Sequence, residues 1–271
     1  MENPLVSVIM ATYNEPAKYI KEAIESILNQ TYSNFEFIII DDSINADTKE
    51  AINSYAYDSR VIIIREDSRM GFVRALNEGL KIAKGEYIAR MDADDISYTN
   101  RFKIQLDYLK SHKEIDVLGG NIQIVNESGF VVSQRKYANR KLTLCLSTIF
   151  RSPVAHPTVM FRRTIIDNHL YYDEFFSKAE DLEFWFRLRN KGYKIANLPV
   201  NLLYFRISGD LAKKRSIEHF SYSYKARYKN FSWKHFYIDI PSVIVTKLYL
   251  LIPKKIISIF YSFENKYKNK F

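Results

Sequence analysis

Through its first hundred residues the chain alternates near-continuous apolar runs with amphipathic stretches. Residues 6–11 form an apolar run closed by Thr12-Tyr13-Asn14-Glu15-Pro16. Over 19–28, Ile20, Ala23, Ile24, Ile27 and Leu28 recur at three- and four-residue steps, the spacing of one helix face. A second run, 35–40, ends in Asp41-Asp42-Ser43, and a third covers 61–65. Between and after them the pattern predicts helices over 48–55 and 72–83. A fourth strand, 87–91, runs into Asp92-Ala93-Asp94-Asp95. Apolar strands joined by helical crossovers predict an α/β fold with a mostly parallel central sheet and helices on both faces.

Beyond residue 98 the rhythm loosens. A helix is expected over 100–112, strands over 117–125 and 130–137 around Asn126-Glu127-Ser128-Gly129, and a short strand over 159–162. The run 142–150 fits helix and strand equally. A helix over 179–191 stops at Gly192, and a last strand covers 198–206. These elements divide the chain into a core domain, 1–207, in two halves, 1–98 and 99–207. A helical, basic C-terminal extension, 208–271, follows.

Charge changes the picture most at that boundary. Residues 213–271 hold 13 Lys/Arg against three Asp/Glu, whereas the formal charge of the whole chain is +9. The body is therefore nearly neutral, which argues against nucleic acid as a partner, since a binding groove would need the basic excess there. The lone Cys145 excludes an intrachain disulfide and fits a reducing compartment. The first residues lack a secretory signal, and no run reaches the roughly 18 apolar residues of a membrane span. A cytoplasmic location is expected. In 238–263 apolar residues are interrupted by Pro241, Lys247, Pro253, Lys254 and Lys255. This suits interfacial helices on an anionic membrane surface, or a helical pair packed on the core.

In open α/β sheets ligands bind beyond the carboxyl ends of the strands. The polar clusters at Thr12–Glu15, Asp41–Ser43 and Asp92–Asp95 lie there. Asp92-Ala93-Asp94 places two carboxylates on one side of an extended segment, and Asp95 adds a third. Such crowding is costly unless a cation or hydrogen bonds compensate it. Oxygen ligands suit a divalent cation, which can offset charge on a diphosphate leaving group. Tyr13 and the acids near it suit a nucleotide base. Farther along, Ala179-Glu180-Asp181 offers a carboxylate for taking a hydroxyl proton, although the dipole of the helix it opens favours an acid there anyway. Trp185 and Phe184, in the same window, suit sugar faces or core packing.

These stretches together resemble family 2 glycosyltransferases of the GT-A fold, the group containing many capsule and lipopolysaccharide sugar transferases. The likeness rests on residues 6–14, Ser26-Ile27-Leu28-Asn29-Gln30-Thr31-Tyr32, Ile38-Ile39-Ile40-Asp41-Asp42-Ser43, Asn77-Glu78-Gly79, residues 84–95, His156-Pro157-Thr158 and Ala179-Glu180-Asp181. It implies that Thr12, Tyr13 and Asp42 hold the uridine end of a UDP-sugar donor. Asp92 lies near ribose and metal, and Asp94 binds Mn²⁺ or Mg²⁺. Arg90 either touches phosphate or braces Asp92. Asp181 matches the general base of inverting members, with Glu180 second for that role, and His156 and Trp185 stand on the acceptor side. The acceptor implied is a glycan, expected to be lipid-linked and reached at the inner face of a bacterial membrane. Relatives often carry a His after the last core strand; residues 204–210 have none, leaving Arg206, Lys213 or Lys214 for phosphate there. A sugar nucleotidyltransferase would show a Gly-rich basic loop after strand one, which 12–16 is not. A non-catalytic nucleotide-sugar scaffold would not need both Asp94 and Asp181.

Overall fold

The computed structural model describes residues 3–207 and 217–251. Strands β1 (Val6–Thr12), β2 (Phe35–Asp41), β3 (Val61–Ile64) and β4 (Tyr87–Asp92) are linked by helices α1 (Ala17–Leu28), α2 (Ala46–Asn53) and α3 (Phe72–Ile82). After β5 (Ile96–Ser97) and α4 (Arg101–Ser111) come β6 (Val117–Val125), β7 (Val131–Arg135) and α5 (Lys141–Ser147). Then follow β8 (Met160–Arg162), α6 (Thr164–Asp167), α7 (Glu180–Asn190), β9 (Ile195–Arg206), α8 (Ile217–Lys229) and α9 (Phe236–Leu251). The ambiguous run 142–150 contributes a helix, α5, followed by a short turn.

The sheet order is β3-β2-β1-β4-β8-β6-β9-β5, with β7 beside β6. Strands β1 to β4 are mutually parallel, and so are β6 and β9. Only β8, β5 and β7 run against their neighbours. Alternation along β1 sends its side chains to two cores. Val6, Val8 and Met10 pack with α1, α2 and α4, while Ile9 and Ala11 pack with α3 and α7. The parallel register sets Thr12 opposite Asp41 and Ala11 opposite Asp92. Three strand ends thus share one edge, and β5 carries the chain from there to the end of β9.

Two glycines of the motif stretches are explained by close approach. A Cβ on Gly85 would lie 2.5 Å from the backbone nitrogen of Ser7, and one on Gly79 would lie 2.7 Å from Ile9 Cγ2. The described part of the C-terminal extension docks on the second half of the core, residues 99–207. Phe176, Leu182 and Phe186 pack with Ala226 of α8. Arg189 of α7 makes a two-pronged ion pair with the buried Asp239 of α9, both arms at 2.8 Å. Lys213, Lys214 and residues 252–263 lie outside the described residues. Pro241 lies within α9 near its start and does not break it.

Candidate active site

At the ends of β1 and β2 the loops are tied together. Asn14 takes a left-handed backbone (φ 60°), and its Oδ1 accepts the N–H groups of Ile44 and Asn45 at 2.9 Å. The Asp42 N–H donates to the Thr12 carbonyl at 3.0 Å. Thr12 is buried and its hydroxyl donates to Glu15 at 2.5 Å. Both Asp42 carboxylate oxygens accept backbone N–H groups, from Met70 and Gly71 at 2.8 Å, and so fasten the loop that opens α3. Tyr13 stands partly exposed with the Arg69 guanidinium 4.0 Å from its ring centre. Arg69 escaped the sequence reading, because no local pattern ties it to a tyrosine 56 positions earlier.

The β4 tip gathers the acids. Asp92, Asp94 and Asp95 each offer a carboxylate oxygen, all within 4.8 Å of one another. Asp95 is fully buried; its Oδ1 accepts the Arg206 N–H at 2.8 Å and its Oδ2 has no partner. Burial, then the charges of Asp92 and Asp94, push its carboxyl well above the usual carboxylate range. An orphaned buried oxygen beside two further carboxylates is a hard donor set, and it fits Mn²⁺ or Mg²⁺. Arg206, a candidate for phosphate contact, is already committed. Its guanidinium pairs with Glu22, donates to the Asp94 carbonyl at 3.0 Å and stacks 4.1 Å from the Tyr19 ring centre. It braces the acidic turn from behind.

Arg90, buried on β4, forms an ion pair with Asp92, while its Nε and Nη1 have no hydrogen-bond partner. Burial opposes its charge and Asp92 more than restores it, so its pKa is raised. Arg101 holds the strand behind it, donating to the Arg90 carbonyl at 2.8 Å.

Helix α7 supplies the second group of acids. Ala179 precedes it in a left-handed conformation (φ 58°), and Glu180 and Asp181 open its first turn. Burial, then the charge of Asp181, pushes the Glu180 carboxyl up to about 8. Burial also raises Asp181, opposed by the Leu182 N–H, His219, the Ser152 hydroxyl (3.2 Å) and Arg90. The Arg90 charge therefore acts on the β4 acids and on the α7 acids alike. His156 is buried against Tyr172, whose hydroxyl lies 2.7 Å from Nε2, and its Nδ1 lies 3.8 Å from Glu180. Burial, then Arg90, keeps the His156 pKa well below its ordinary value, so the ring is neutral. Asp181, not Glu180, lines a cavity of about 500 Å³ together with His156 and residues of α8 and α9.

One expected acceptor-side residue is corrected. Trp185 is 1% exposed, packed among Phe184, Val159 and Leu188, and meets His156 edge to ring at 5.9 Å. It has no face to offer a sugar. Its helix is apolar on both sides because the sheet covers one and α8 the other.

The fold is thus of the α/β class, with three acids gathered at the tip of β4 and two more opening α7. The sequence pattern of glycosyl transferase family 2 matches residues 7–171. The chain belongs to that family. An uncharacterized glycosyltransferase of Methanocaldococcus jannaschii is 34% identical over 98% of this chain and 96% of its own. The O-antigen biosynthesis glycosyltransferase WbnJ of Escherichia coli is 34% identical over 80% of this chain and 85% of its own. Among solved structures, Staphylococcus aureus TarS 1-349 in complex with UDP-GlcNAc matches with a TM-score of 0.65 at 22% identity, over 83% of this chain and 66% of that one. The chain spans 39% of the longer TarS chain. The mannosyltransferase PcManGT of Pyrobaculum calidifontis, in complex with GDP-Man and Mn²⁺, matches with a TM-score of 0.68 at 17% identity, over 96% of this chain and 73% of that one. At those identities the two structures share the GT-A fold with this chain.

Proposed function

We propose that this glycosyltransferase is inverting and metal-dependent, moving a hexosyl or N-acetylhexosaminyl group from a UDP-sugar to a lipid-linked glycan during cell-surface polysaccharide synthesis. One observation carries the reading: the buried Arg90 pairs with Asp92 of β4, and its charge also reaches Glu180 and Asp181 of α7. Asp92 and Asp94, with Oδ2 of Asp95, would hold Mn²⁺ or Mg²⁺. A bound ion supplies positive charge to the diphosphate as it leaves. Thr12, Tyr13 and Asp42 border the nucleoside, with Arg69 beside Tyr13. Arg90 has two donors left for the donor substrate. The Asp181 carboxylate takes the proton of the acceptor hydroxyl as that oxygen bonds to the anomeric carbon. The bond from that carbon to the phosphate oxygen breaks, and nucleoside diphosphate departs. Attack opposite the leaving group inverts the anomeric configuration.

The UDP donor and the surface-polysaccharide setting accord with TarS bound to UDP-GlcNAc and with the names of WbnJ and of the amylovoran biosynthesis glycosyltransferase AmsE of Erwinia amylovora. We place the enzyme peripherally on the inner membrane face. Among the described residues no helix is long and apolar enough to cross a membrane. Helix α9 turns Asp239, Ser242 and Thr246 inward and leaves Ile240, Ile244, Leu248 and Leu251 exposed. That apolar stripe, followed in sequence by Lys254 and Lys255, suits an anionic lipid surface.

A thermal-shift panel of UDP- and GDP-sugars, with and without Mn²⁺, tests the donor reading. Stabilisation by a UDP-sugar only with the ion supports it. Stabilisation by GDP-sugars alone, or equally without the ion, contradicts it.

A further inference from the structure

The acidic turn sits in a loop whose two ends are tied to each other. On one side β4 pairs with β1 as far as Asp92, opposite Ala11. On the other side its pairing with β8 stops at Ala89, opposite Met160. One further ladder bond follows, from the Arg90 N–H to the Val159 carbonyl at 3.0 Å. The Arg90 carbonyl, on that same side, lies beyond the strand pairing. Arg101, at the start of α4, meets it: Nη2 donates to the Arg90 carbonyl at 2.8 Å and to the Val159 carbonyl at 3.2 Å.

Arg101 is fully buried, and these acceptors are all neutral. Its Nε donates to Gln105 Oε1 at 3.0 Å, and Nη1 lies 3.9 Å from Met91 Sδ. Gln105, one turn along α4, donates in turn to the Leu118 and Thr158 carbonyls at 3.0 and 2.8 Å. Gln30 of α1 holds the far end of the loop, donating to the Tyr98 carbonyl at 2.7 Å and accepting the Phe102 N–H at 3.1 Å. Buried polar side chains thus fix the backbone on both sides of the acidic turn.

A buried guanidinium with neutral partners is costly. Burial, then the charge of Arg90, brings the Arg101 pKa down to about 9, with Asp95 opposing, so the group stays charged at neutral pH. A neutral side chain would avoid that cost but lacks the geometry. The planar fork donates in several directions at once, and here it reaches two carbonyls and an amide oxygen together. What it fixes is the run Arg90-Met91-Asp92, and with it the point where the carboxylates of Asp92, Asp94 and Asp95 converge. Arg162 of β8 offers a contrast. It donates to the Ile115 and Leu109 carbonyls at 2.9 and 2.7 Å, but at the opposite end of β4, beside Tyr87.

We propose that Arg101 is a positioning residue of the ion site, holding Asp92 at the spacing from Asp94 and Asp95 that a divalent cation requires. A guanidinium cannot ligate a cation, so its action runs through the backbone of Arg90. The inference rests on the reading that these three carboxylates hold Mn²⁺ or Mg²⁺, and it adds a residue of α4 to that site.

Mn²⁺ binding to the full chain, followed by loss of the free-ion signal in electron paramagnetic resonance, tests this. The proteins are wild type, Arg101→Lys, Arg101→Met, Gln105→Met and Arg162→Lys, and a thermal melt of each, taken first, reports its folding. Both Arg101 variants are expected to weaken Mn²⁺ binding by at least about tenfold, the lysine included, because it keeps the charge without the fork. Gln105→Met leaves the fork but removes the acceptor that aligns Nε. A smaller loss in the same direction is expected there, and it carries the comparison if an Arg101 variant does not fold. Arg162→Lys should lower Tm and leave the Mn²⁺ affinity unchanged, which separates positioning of the acids from general loosening of the core. Wild-type Mn²⁺ affinity in the folded Arg101 and Gln105 variants, or a loss in Arg162→Lys as large as theirs, overturns the proposal. No Mn²⁺ binding by wild type overturns the ion-site reading itself, and this inference with it.

Discussion

Arg90 and Asp92, two positions apart on β4, pair within the strand, and the pair leaves two Arg90 donors buried and unpartnered. Buried donors without partners cost about 1–3 kcal/mol each unless something accepts from them. A ligand's phosphate or sugar oxygen would do so. Arg90→Lys keeps a positive charge for Asp92 but removes the fork. We expect a loss of kcat/KM of at least tenfold with little change in Tm. Unchanged kinetics would assign Arg90 to bracing Asp92 alone.

With Asp181 as the proposed base, its protonation state sets the pH dependence of transfer. It acts as a carboxylate, and burial raises its pKa, so activity rises with pH through that raised value. The acid limb of kcat/KM should fall tenfold per pH unit, with a midpoint above the ordinary aspartate value of about 3.9. Asp181→Asn should abolish the limb along with nearly all activity. A limb centred at or below pH 4 would contradict the burial argument.

Glu180 gives a separate stability signature. Its folded pKa, up to about 8, exceeds its unfolded value, so the folded chain binds the extra proton between the two. Stability from this group is present at low pH and lost as pH rises through the folded pKa. Glu180→Gln removes the ionisation, so it should raise Tm by a few degrees at pH 8.5 and far less at pH 5. An equal shift at both pH values would refute the assignment.

Gly85→Ala tests the close approach of the loop before β4 to β1. Its Cβ would meet backbone at 2.5 Å, where no side chain can swing away. We expect destabilisation of about 1–3 kcal/mol in chemical denaturation. Gly129→Ala, with open space around it but φ 84°, tests backbone strain without a clash.

The strand tips were legible because each apolar run stops abruptly at polar residues, and parallel pairing then aligns the stops. Thr12, Asp42, Asp92 and Asp94 could be placed on that ground alone. What escaped was set by pairs distant in sequence. Asn77 holds the backbone of Tyr172 in both directions, at 2.9 and 3.0 Å, and Arg206 closes on Asp95 across 111 positions. Trp185 was misplaced because its side of α7 packs into the core cluster that includes β1, β8 and α3, a burial that no helical period announces. The inward polar face of α9 was likewise hidden, since Asp239 is satisfied by Arg189 from another element.

The central claim is that the β4 acids hold an ion while Asp181 takes a proton from the acceptor. Release of UDP from the donor identified in the thermal panel, with acceptor and Mn²⁺, should be measured in wild type, Asp94→Ala and Asp181→Asn. We expect release that needs the ion and falls at least about a hundredfold in both variants. UDP affinity in Mn²⁺ should weaken in Asp94→Ala and persist in Asp181→Asn. Release that continues without a divalent ion, or that survives Asp181→Asn undiminished, contradicts the account.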